Sequence, residues 1–410
     1  MRTHEEVSSA VLSMIFAKLG TISKWKRCFM RALFRAVFAL RGRVNFTNLA
    51  RFSPLHEQTF RRHFAEDFDW IGFNQALIAL APTGSKEALI GAIDCTFLPK
   101  SGTETYGLDR FWSGTAGRAE CGLEASVMAV IHAGSGRAFT AGAAQTPPDL
   151  SQGEGDSQGD QARSRIDFYM RQLTGYLARL TGQIRYVVAD GYYAKTKVFE
   201  AVRGARRHLI TKLRTDANLR YLYDGPRKEG PGAPKIYDGK VHFENLSRFV
   251  CAGCLDDKPE VEVYTRRLNS PHFKRDFRVA VLVDTRSDSY VVLASTDCEL
   301  DPMKIVRFYR LRFQIELIFR DAKQFAGLAH CQARSREKID FHLNMSLSAV
   351  NLARLCILRS ETPISMNSYV RRAYNRWLAG HLLSKLGLQA RFGLNHPQVR
   401  RVVRMGSMTG

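Results

Sequence analysis

Residues 308–323 read FYRLRFQIELIFRDAK, and this stretch is the most informative part of the chain. In an α-helix, successive side chains are separated by about 100° around the axis. With that spacing the apolar side chains form one stripe, which is typical of a helix that packs one side against a core: Phe308, Leu311, Ile315, Ile318 and Ala322. The spacing therefore predicts a helix over residues 302–324 with a buried apolar side.

A second side of the same helix carries four chemically active groups. Tyr309, Arg312, Glu316 and Lys323 fall within about 60° of arc, so a phenol, a guanidinium, a carboxylate and an ammonium lie in a row. Guanidinium and ammonium groups bind phosphates, and a carboxylate binds a divalent cation. Arg312 and Glu316 are also four residues apart, which is the spacing of an ordinary surface ion pair. The spacing alone leaves both interpretations open.

Two aspartates are associated with apolar runs that predict buried strands. Asp94 lies within the run at residues 88–97, and Asp190 directly follows the run at residues 184–189. A carboxylate in a buried strand is unfavourable unless it binds a metal or a partner, or lies where the strand opens to solvent. Active sites of open α/β sheets form at strand ends, although strand-end aspartates also cap turns. Gly191, after Asp190, allows a close approach of the backbone.

The segment that precedes these strands is helical in pattern. The spacing over residues 21–40 predicts an amphipathic helix with a basic side, whose apolar positions are Trp25, Cys28, Phe29, Leu33, Val37 and Leu40. Residues 46–64 predict a short helix, a turn at residues 53–54, and a second helix that carries Arg61 and Arg62. This arrangement resembles a helix-turn-helix, which would place the second helix on DNA. Plain helical packing is the alternative.

The remaining patterns alternate between strands and helices. Residues 123–132 and 137–144 predict strands, residues 166–180 a helix, and residues 151–160 a polar, Gly-rich loop. From residue 216 to residue 300 short β-like runs are separated by Gly and Pro: 235–243, 261–268, 275–284 and 290–295. Helices are predicted again at 302–324, 337–359 and 366–386. The order indicates an α/β fold with a β-rich insertion and helical ends.

The charge balance indicates a polyanionic partner. The 410 residues contain 61 Lys and Arg against 39 Asp and Glu, so the formal net charge is +22. A chain this basic points first to nucleic acid, and a merely basic protein is the alternative. The excess lies at both ends as well as in the middle, with +6 over residues 1–85 and +10 over residues 324–410.

Composition also bears on location. No stretch supplies the roughly 18–20 uninterrupted apolar residues of a membrane-spanning helix. Eight cysteines are too few for a disulfide scaffold in a chain of this length. We therefore expect a cytoplasmic protein with no membrane contact.

The four-residue pattern is similar to a known signature. Tyr309-x2-Arg312-x3-Glu316-x6-Lys323 resembles, without deviation, the Y-x2-R-x3-E-x6-K signature of the insertion-sequence-four group of DDE transposases. Residues 92–96 (AIDCT) and 189–193 (ADGYY) resemble the two aspartate contexts of that group. The gaps of 96 and 126 residues between the three carboxylates also agree in kind, and the second gap accommodates the β-rich insertion. The resemblance covers roughly residues 40–350.

The resemblance implies a ribonuclease H-like core in which Asp94, Asp190 and Glu316 are the catalytic carboxylates. They would hold two divalent metal ions, Mg²⁺ or Mn²⁺, that promote in-line phosphodiester displacement. Tyr309, Arg312 and Lys323 would hold the phosphates of double-stranded DNA at the inverted-repeat ends. The implied activity is DNA cleavage and strand transfer into target DNA, with a homodimer on paired ends.

Two departures limit the resemblance. Some relatives use a tryptophan in the insertion to hold a flipped base when the DNA end forms a hairpin, and residues 216–300 contain no tryptophan. Many relatives carry a second aspartate after the first catalytic one, where this chain has Cys95. Two other functions stay open: a nuclease without strand transfer, and a catalytically silent DNA-binding derivative. The intact carboxylates count against the silent derivative.

These inferences together predict five regions. They are a helical DNA-binding region (1–86), the first part of the ribonuclease H-like core (87–215), a β-rich insertion (216–300), the second part of the core with the glutamate helix (301–360), and a basic helical C-terminal region (361–410).

Overall fold

The computed structural model describes residues 4–20, 22–82, 88–150, 164–180, 184–226, 233–287, 289–360 and 364–408. The predicted Gly-rich loop at 151–160 and the predicted boundary between residues 86 and 87 lie outside these ranges. The proposed division into five regions stays a prediction.

Helices occupy both ends of the described chain and alternate with strands in its middle. They are α1 (His4–Lys18), α2 (Lys24–Ala39), α3 (Phe46–Arg51), α4 (Glu57–His63), α5 (Trp70–Ile78), α6 (Arg165–Arg179), α7 (Thr196–Gly204), α8 (Pro302–Leu311), α9 (Gln314–Phe325), α10 (Arg336–Leu358), α11 (Met366–Lys385) and α12 (Pro397–Arg404). Two short 3₁₀ turns lie at Gly191–Tyr193 and Leu328–His330.

The described strands belong to one mixed sheet. They are β1 (Leu89–Pro99), β2 (Asp109–Ser113), β3 (Arg118–His132), β4 (Ala138–Gln145), β5 (Ile184–Ala189), β6 (His208–Leu213), β7 (Arg220–Leu222), β8 (Tyr237–Lys240), β9 (Val250–Leu255), β10 (Lys258–Ser270), β11 (Arg275–Asp284) and β12 (Ser289–Ser295).

One half of the sheet has the strand order of a ribonuclease H-like fold, β4-β3-β1-β5-β6. β1 pairs antiparallel with β3 and parallel with β5, and β5 pairs parallel with β6. β1 and β5 are central strands covered on both faces, which is why their sequences are nearly continuous apolar runs. The predicted α/β fold class is therefore confirmed.

The second half of the sheet is built from the β-rich segment. β12 pairs antiparallel with β6, and the sheet continues through β11 and β10. The insertion therefore extends the core sheet. The strand predicted at residues 235–243 is wrong in length, because β8 spans only Tyr237–Lys240. β2 and β7 were not predicted because they are only five and three residues long, and β9 was not predicted although its sequence VCAGCL is mostly apolar.

The N-terminal helices confirm the predicted helical character of that segment. α2 buries Phe29, Leu33 and Val37 as expected. The assignment of Trp25 and Cys28 to the apolar side is wrong, since Trp25 is 82% exposed and Cys28 is exposed as well. Both lie in the first turns of α2, and Cys28 lines an open cleft between α2 and the C-terminal helices.

Helix α10 is the central helix of the core. In the described part of the chain it is the one helix long and apolar enough to cross a membrane, and 83% of its most apolar window is buried. It packs against β4, α5, α9 and α1. Its apolar composition is therefore accounted for by burial within the fold.

Two asparagines of α10 bond the backbone N–H and C=O groups on the free edge of β4. Among the described strands, β4 pairs only with β3. The Thr140 N–H donates to Asn351 Oδ1 at 2.9 Å, and Asn351 Nδ2 donates back to the Thr140 carbonyl at 2.8 Å. Asn344 makes the same pair of bonds with Ala143, each of 2.9 Å. A helix thus replaces the missing neighbouring strand, as buried backbone groups require.

We expect Asn351→Ala to lower the free energy of unfolding by about 2–4 kcal/mol, because each buried backbone group left without a partner costs about 1–3 kcal/mol. Denaturation in urea measures this change. Asn218→Ala is the matched control, since Asn218 is exposed and its removal leaves no buried group unpaired. Equal stability of the two variants would contradict this role of Asn351.

Candidate active site

The pairing of β1 with β5 places two aspartates side by side. Ala92 is aligned with Val188 in this parallel pair. Two residues further on are Asp94, within β1, and Asp190, the extended residue that follows β5. Both lie on the same face as Ala92 and Val188, because side chains of extended backbone alternate with a period of two. The register of β1 and β5 therefore brings the two carboxylates close together.

The chain turns sharply after Asp190. Asp190 Oδ1 accepts a hydrogen bond from the Tyr192 N–H at 3.0 Å, which caps the 3₁₀ turn. A Cβ atom at Gly191 would lie 3.3 Å from the Lys212 carbonyl oxygen of β6. This contact is tight for a side chain, so glycine suits the position.

The predicted single helix over residues 302–324 is wrong, because it is divided into α8 and α9. At the junction the N–H of Arg312 bonds the carbonyl of Tyr309 at 3.0 Å, and the N–H of Glu316 bonds that of Phe313 at 3.1 Å. Each of these bonds joins residues three positions apart, as in a 3₁₀ helix, so the helix tightens locally into a 3₁₀ turn. Phe308, Ile315, Ile318 and Ala322 are buried as predicted.

Arg312 joins two of the carboxylates. Its Nη1 donates to Asp94 Oδ2 at 2.9 Å, and its Nη2 donates to Glu316 Oε1 at 2.9 Å. The Arg312–Glu316 pair therefore exists, but the same guanidinium also reaches a residue 218 positions away in sequence. The side chains of Arg312 and Asp94 are only 18% and 19% exposed. The interpretation as a simple surface ion pair does not fit this geometry.

The electrostatics of the site follow from burial and from the crowding of negative charge. Burial, followed by the charge of Asp190, raises the pKa of Asp94 to about 7, while Arg312 opposes the rise. Burial also raises the pKa of Asp190. Burial by itself disfavours the charged guanidinium of Arg312, but Asp94 and its other negative neighbours raise the pKa of Arg312 overall. The cluster thus holds more negative charge than one arginine neutralises.

The donor set suits a hard divalent cation. Asp94, Asp190 and Glu316 supply carboxylate oxygens, which are the ligands that Mg²⁺ and Mn²⁺ prefer. Over the described ranges, no three His, Cys, Asp or Glu side chains are already gathered as ligands around one point. The guanidinium of Arg312, which bonds both Asp94 and Glu316, accounts for this arrangement.

The other predicted site residues have distinct places. Tyr309 lies beside Arg312, whose charge partly offsets the rise in the pKa of Tyr309 caused by burial. Lys323 is exposed and lies about 10 Å further along α9 than Glu316. Arg61 and Arg62 are exposed on α4, where Arg61 pairs with Glu57 of the same helix and not with the three candidate catalytic carboxylates.

Two features of the site were not predicted. Phe313, next to Arg312, is 53% exposed although it is a large aromatic residue. On the opposite face of β1, the Cys95 thiol lies 3.5 Å from the Tyr193 hydroxyl, and the nearby Glu124 accepts hydrogen bonds from Tyr169 and Thr146. The alternation of side chains along β1 was the available signal for the second feature, because it directs Cys95 away from Asp94.

A ribonuclease H-like sheet with carboxylates on neighbouring strands defines a class of proteins that process nucleic acids. Residues 18–258 match the family described as DDE superfamily endonuclease, and residues 167–352 match the Transposase DDE domain. The first match covers more than half of the 410 residues. The chain belongs to the DDE superfamily and is a transposase-type endonuclease. Comparison with curated proteins finds no match.

We expect Arg312→Gln to destabilise the metal-free protein by about 1–3 kcal/mol, because it leaves a largely buried carboxylate without its charged partner. Arg310→Gln is the matched control two residues earlier. Arg310 pairs with Asp257 at the surface, where both side chains are about half exposed, so its loss has little effect. Thermal unfolding in the presence of a chelator compares the variants, and similar losses for both would contradict the role of Arg312.

Proposed function

We propose that this protein is the transposase of a bacterial-type insertion sequence, which binds inverted-repeat ends and catalyses metal-dependent DNA cleavage and strand transfer. The observation that supports it best is the joining of Asp94 and Glu316 through Arg312, beside Asp190. These groups come from two strands and a helix that are far apart in sequence. Their convergence favours a catalytic cluster over a structural ion pair.

Asp94, Asp190 and Glu316 would hold two Mg²⁺ or Mn²⁺ ions. Ions held there would supply Lewis-acid chemistry for in-line phosphodiester displacement, in which a water or a 3′-hydroxyl is the nucleophile. The raised pKa values of Asp94 and Asp190 reflect buried, mutually repelling carboxylates. A divalent cation held by them would relieve that repulsion.

The basic side chains of α8 and α9 would orient the DNA. Arg312 presents a planar fork that suits phosphate oxygens as well as carboxylates. Tyr309 beside it offers a hydroxyl, and Lys323 offers a mobile positive charge further along α9. We assign these three residues to the phosphates at the cleaved end, in agreement with the insertion-sequence-four signature that they resemble.

The position that carries a second aspartate in many relatives has a different role here. Cys95 lies on the other face of β1 from Asp94 and contacts the hydroxyl of Tyr193. Burial raises the pKa of the Cys95 thiol well above its usual range. Cys95 therefore belongs to the packing beneath the site, and three carboxylates are the whole of the proposed ligand set.

We assign recognition of the DNA ends to α3 and α4. These helices are separated by the turn predicted at residues 53–54. Arg62 is exposed on α4. Arg61 lies over the ring of Phe46 at 5.0 Å and pairs with Glu57 of its own helix, so its guanidinium is held at the surface. We further propose that two copies of the chain act together on paired ends.

We expect Glu316→Ala, and likewise Asp94→Ala or Asp190→Ala, to abolish Mg²⁺-dependent cleavage of end-containing DNA while binding of that DNA survives. Binding rests on the basic residues, whereas cleavage needs the carboxylates. Gel assays of cleavage and of binding separate the two effects. Glu200→Ala is the matched control, because Glu200 is an exposed helical glutamate on α7.

Full cleavage by Glu316→Ala would overturn the catalytic assignment. Strand transfer of pre-cut ends into plasmid DNA by the wild-type protein separates a transposase from a nuclease that only cuts.

We expect Arg61→Ala with Arg62→Ala to weaken binding of end DNA by ~1–3 kcal/mol for each base contact that is lost. Fluorescence anisotropy with end and unrelated duplexes measures the change, and the loss should be larger for the end duplex. Arg171→Ala with Arg203→Ala, two exposed arginines on α6 and α7, removes the same charge as a control. An unchanged preference for the end duplex would place recognition elsewhere in the chain.

A further inference from the structure

A cleft of about 880 Å³ lies between the N-terminal helices and the C-terminal helices. Its walls are α2, the end of α3 with the turn that follows, α11 and α12. None of Asp94, Asp190, Arg312 or Glu316 lines it. The cleft is therefore distinct from the candidate active site.

The charged residues that line this cleft are all positive. Among the described residues that line it, seven are arginines and none is Asp or Glu. Four of them are Arg51 at the end of α3, Arg372 on α11, and Arg400 and Arg404 on α12; α2 and α11 contribute the rest. Glu6 of α1 accepts a hydrogen bond from Asn395, just before α12, but it does not line the cleft.

The arginines of α11 and α12 are crowded. Burial and the charge of Arg404 lower the pKa of Arg372. Arg372 is nevertheless fixed in place, because its Nε donates to Ser407 Oγ at 3.0 Å. The Nε of Arg400 is buried and has no hydrogen-bond partner within the described residues. An anion in the cleft would relieve this crowding of positive charge.

Aromatic contacts hold the walls of the cleft together. Phe52, at the end of α3, lies 4.4 Å from Trp377 of α11 between ring centroids. Trp377 in turn stacks on His381 at 5.4 Å with an angle of 9° between the rings. This packing joins the helix-turn-helix-like segment to the C-terminal helices. The basic excess at the two ends of the sequence thus meets in one cleft.

We propose that this cleft binds the phosphodiester backbone of double-stranded DNA without sequence preference. Arginines spread over four helices suit an extended polyanion, whereas a single phosphate would occupy only two or three of them. Phosphate contacts position DNA but carry no sequence information. The proposal relies on the proposed function only in taking DNA as the substrate, and it is independent of the catalytic assignment.

The test replaces Arg51→Gln and Arg404→Gln together in the full-length chain, since both side chains are exposed. Fluorescence anisotropy with a labelled duplex of mixed sequence, in EDTA, gives the affinity at several salt concentrations. Each lost phosphate contact reduces the slope of log K against log salt by about 0.9, so the double variant should lose about 1.8. The matched control is Arg171→Gln with Arg203→Gln, which removes equal charge outside the cleft.

The proposal is supported if the salt-dependence slope of the cleft variant falls by about 1.8 while that of the control stays at the wild-type value. Arg51→Lys with Arg404→Lys should restore the wild-type slope. Equal slopes for the cleft variant and the control would overturn it, as would a loss seen only with single-stranded DNA. Circular dichroism and thermal unfolding establish that each variant is folded. Absence of DNA binding by the wild-type protein would instead count against the proposed function, so the two failures are distinguishable.

Discussion

The burial of two carboxylates on adjacent parallel strands is the constraint on which the rest of the site depends. Asp94 and Asp190 are brought together by the register of β1 and β5, and each resists ionisation because of burial. Such a pair is unfavourable unless positive charge compensates it. Arg312 supplies that charge, so the junction between α8 and α9 must lie directly over these two carboxylates.

Several contacts hold that junction in position. Asp321 of α9, which is almost fully buried, accepts from Arg354 of α10 at 2.8 Å. Arg354 also donates to the Ala138 carbonyl of β4 at 2.9 Å. The helix that carries Glu316 is thereby tied to α10 and to the edge of the sheet. Because α10 also satisfies the backbone of β4, the same helix supports the sheet and the catalytic segment.

The core of the fold was predictable because its strands are apolar on both faces. β5 and β11 begin and end where the apolar runs predict. The patterns failed where the structure departs from regular spacing. The tightened turn at Arg312 breaks the helix predicted over residues 302–324, and a helical repeat of 3.6 residues contains no signal for it. Trp25 was assigned wrongly to the buried side of α2. Periodicity shows which side of a helix is apolar, but it does not show which positions on that side are covered by other parts of the fold.

By itself the sequence determined the chemistry: three carboxylates in family-like contexts, a phenol, guanidinium and ammonium at helical spacing, and basic excess at both ends of the chain. Those properties belong to residue types and to local spacing. Only the tertiary structure decided that Arg312 reaches Asp94 as well as Glu316, and that the basic ends meet in one cleft. Both results join residues hundreds of positions apart, and such contacts depend on strand register and helix packing, which local patterns do not encode.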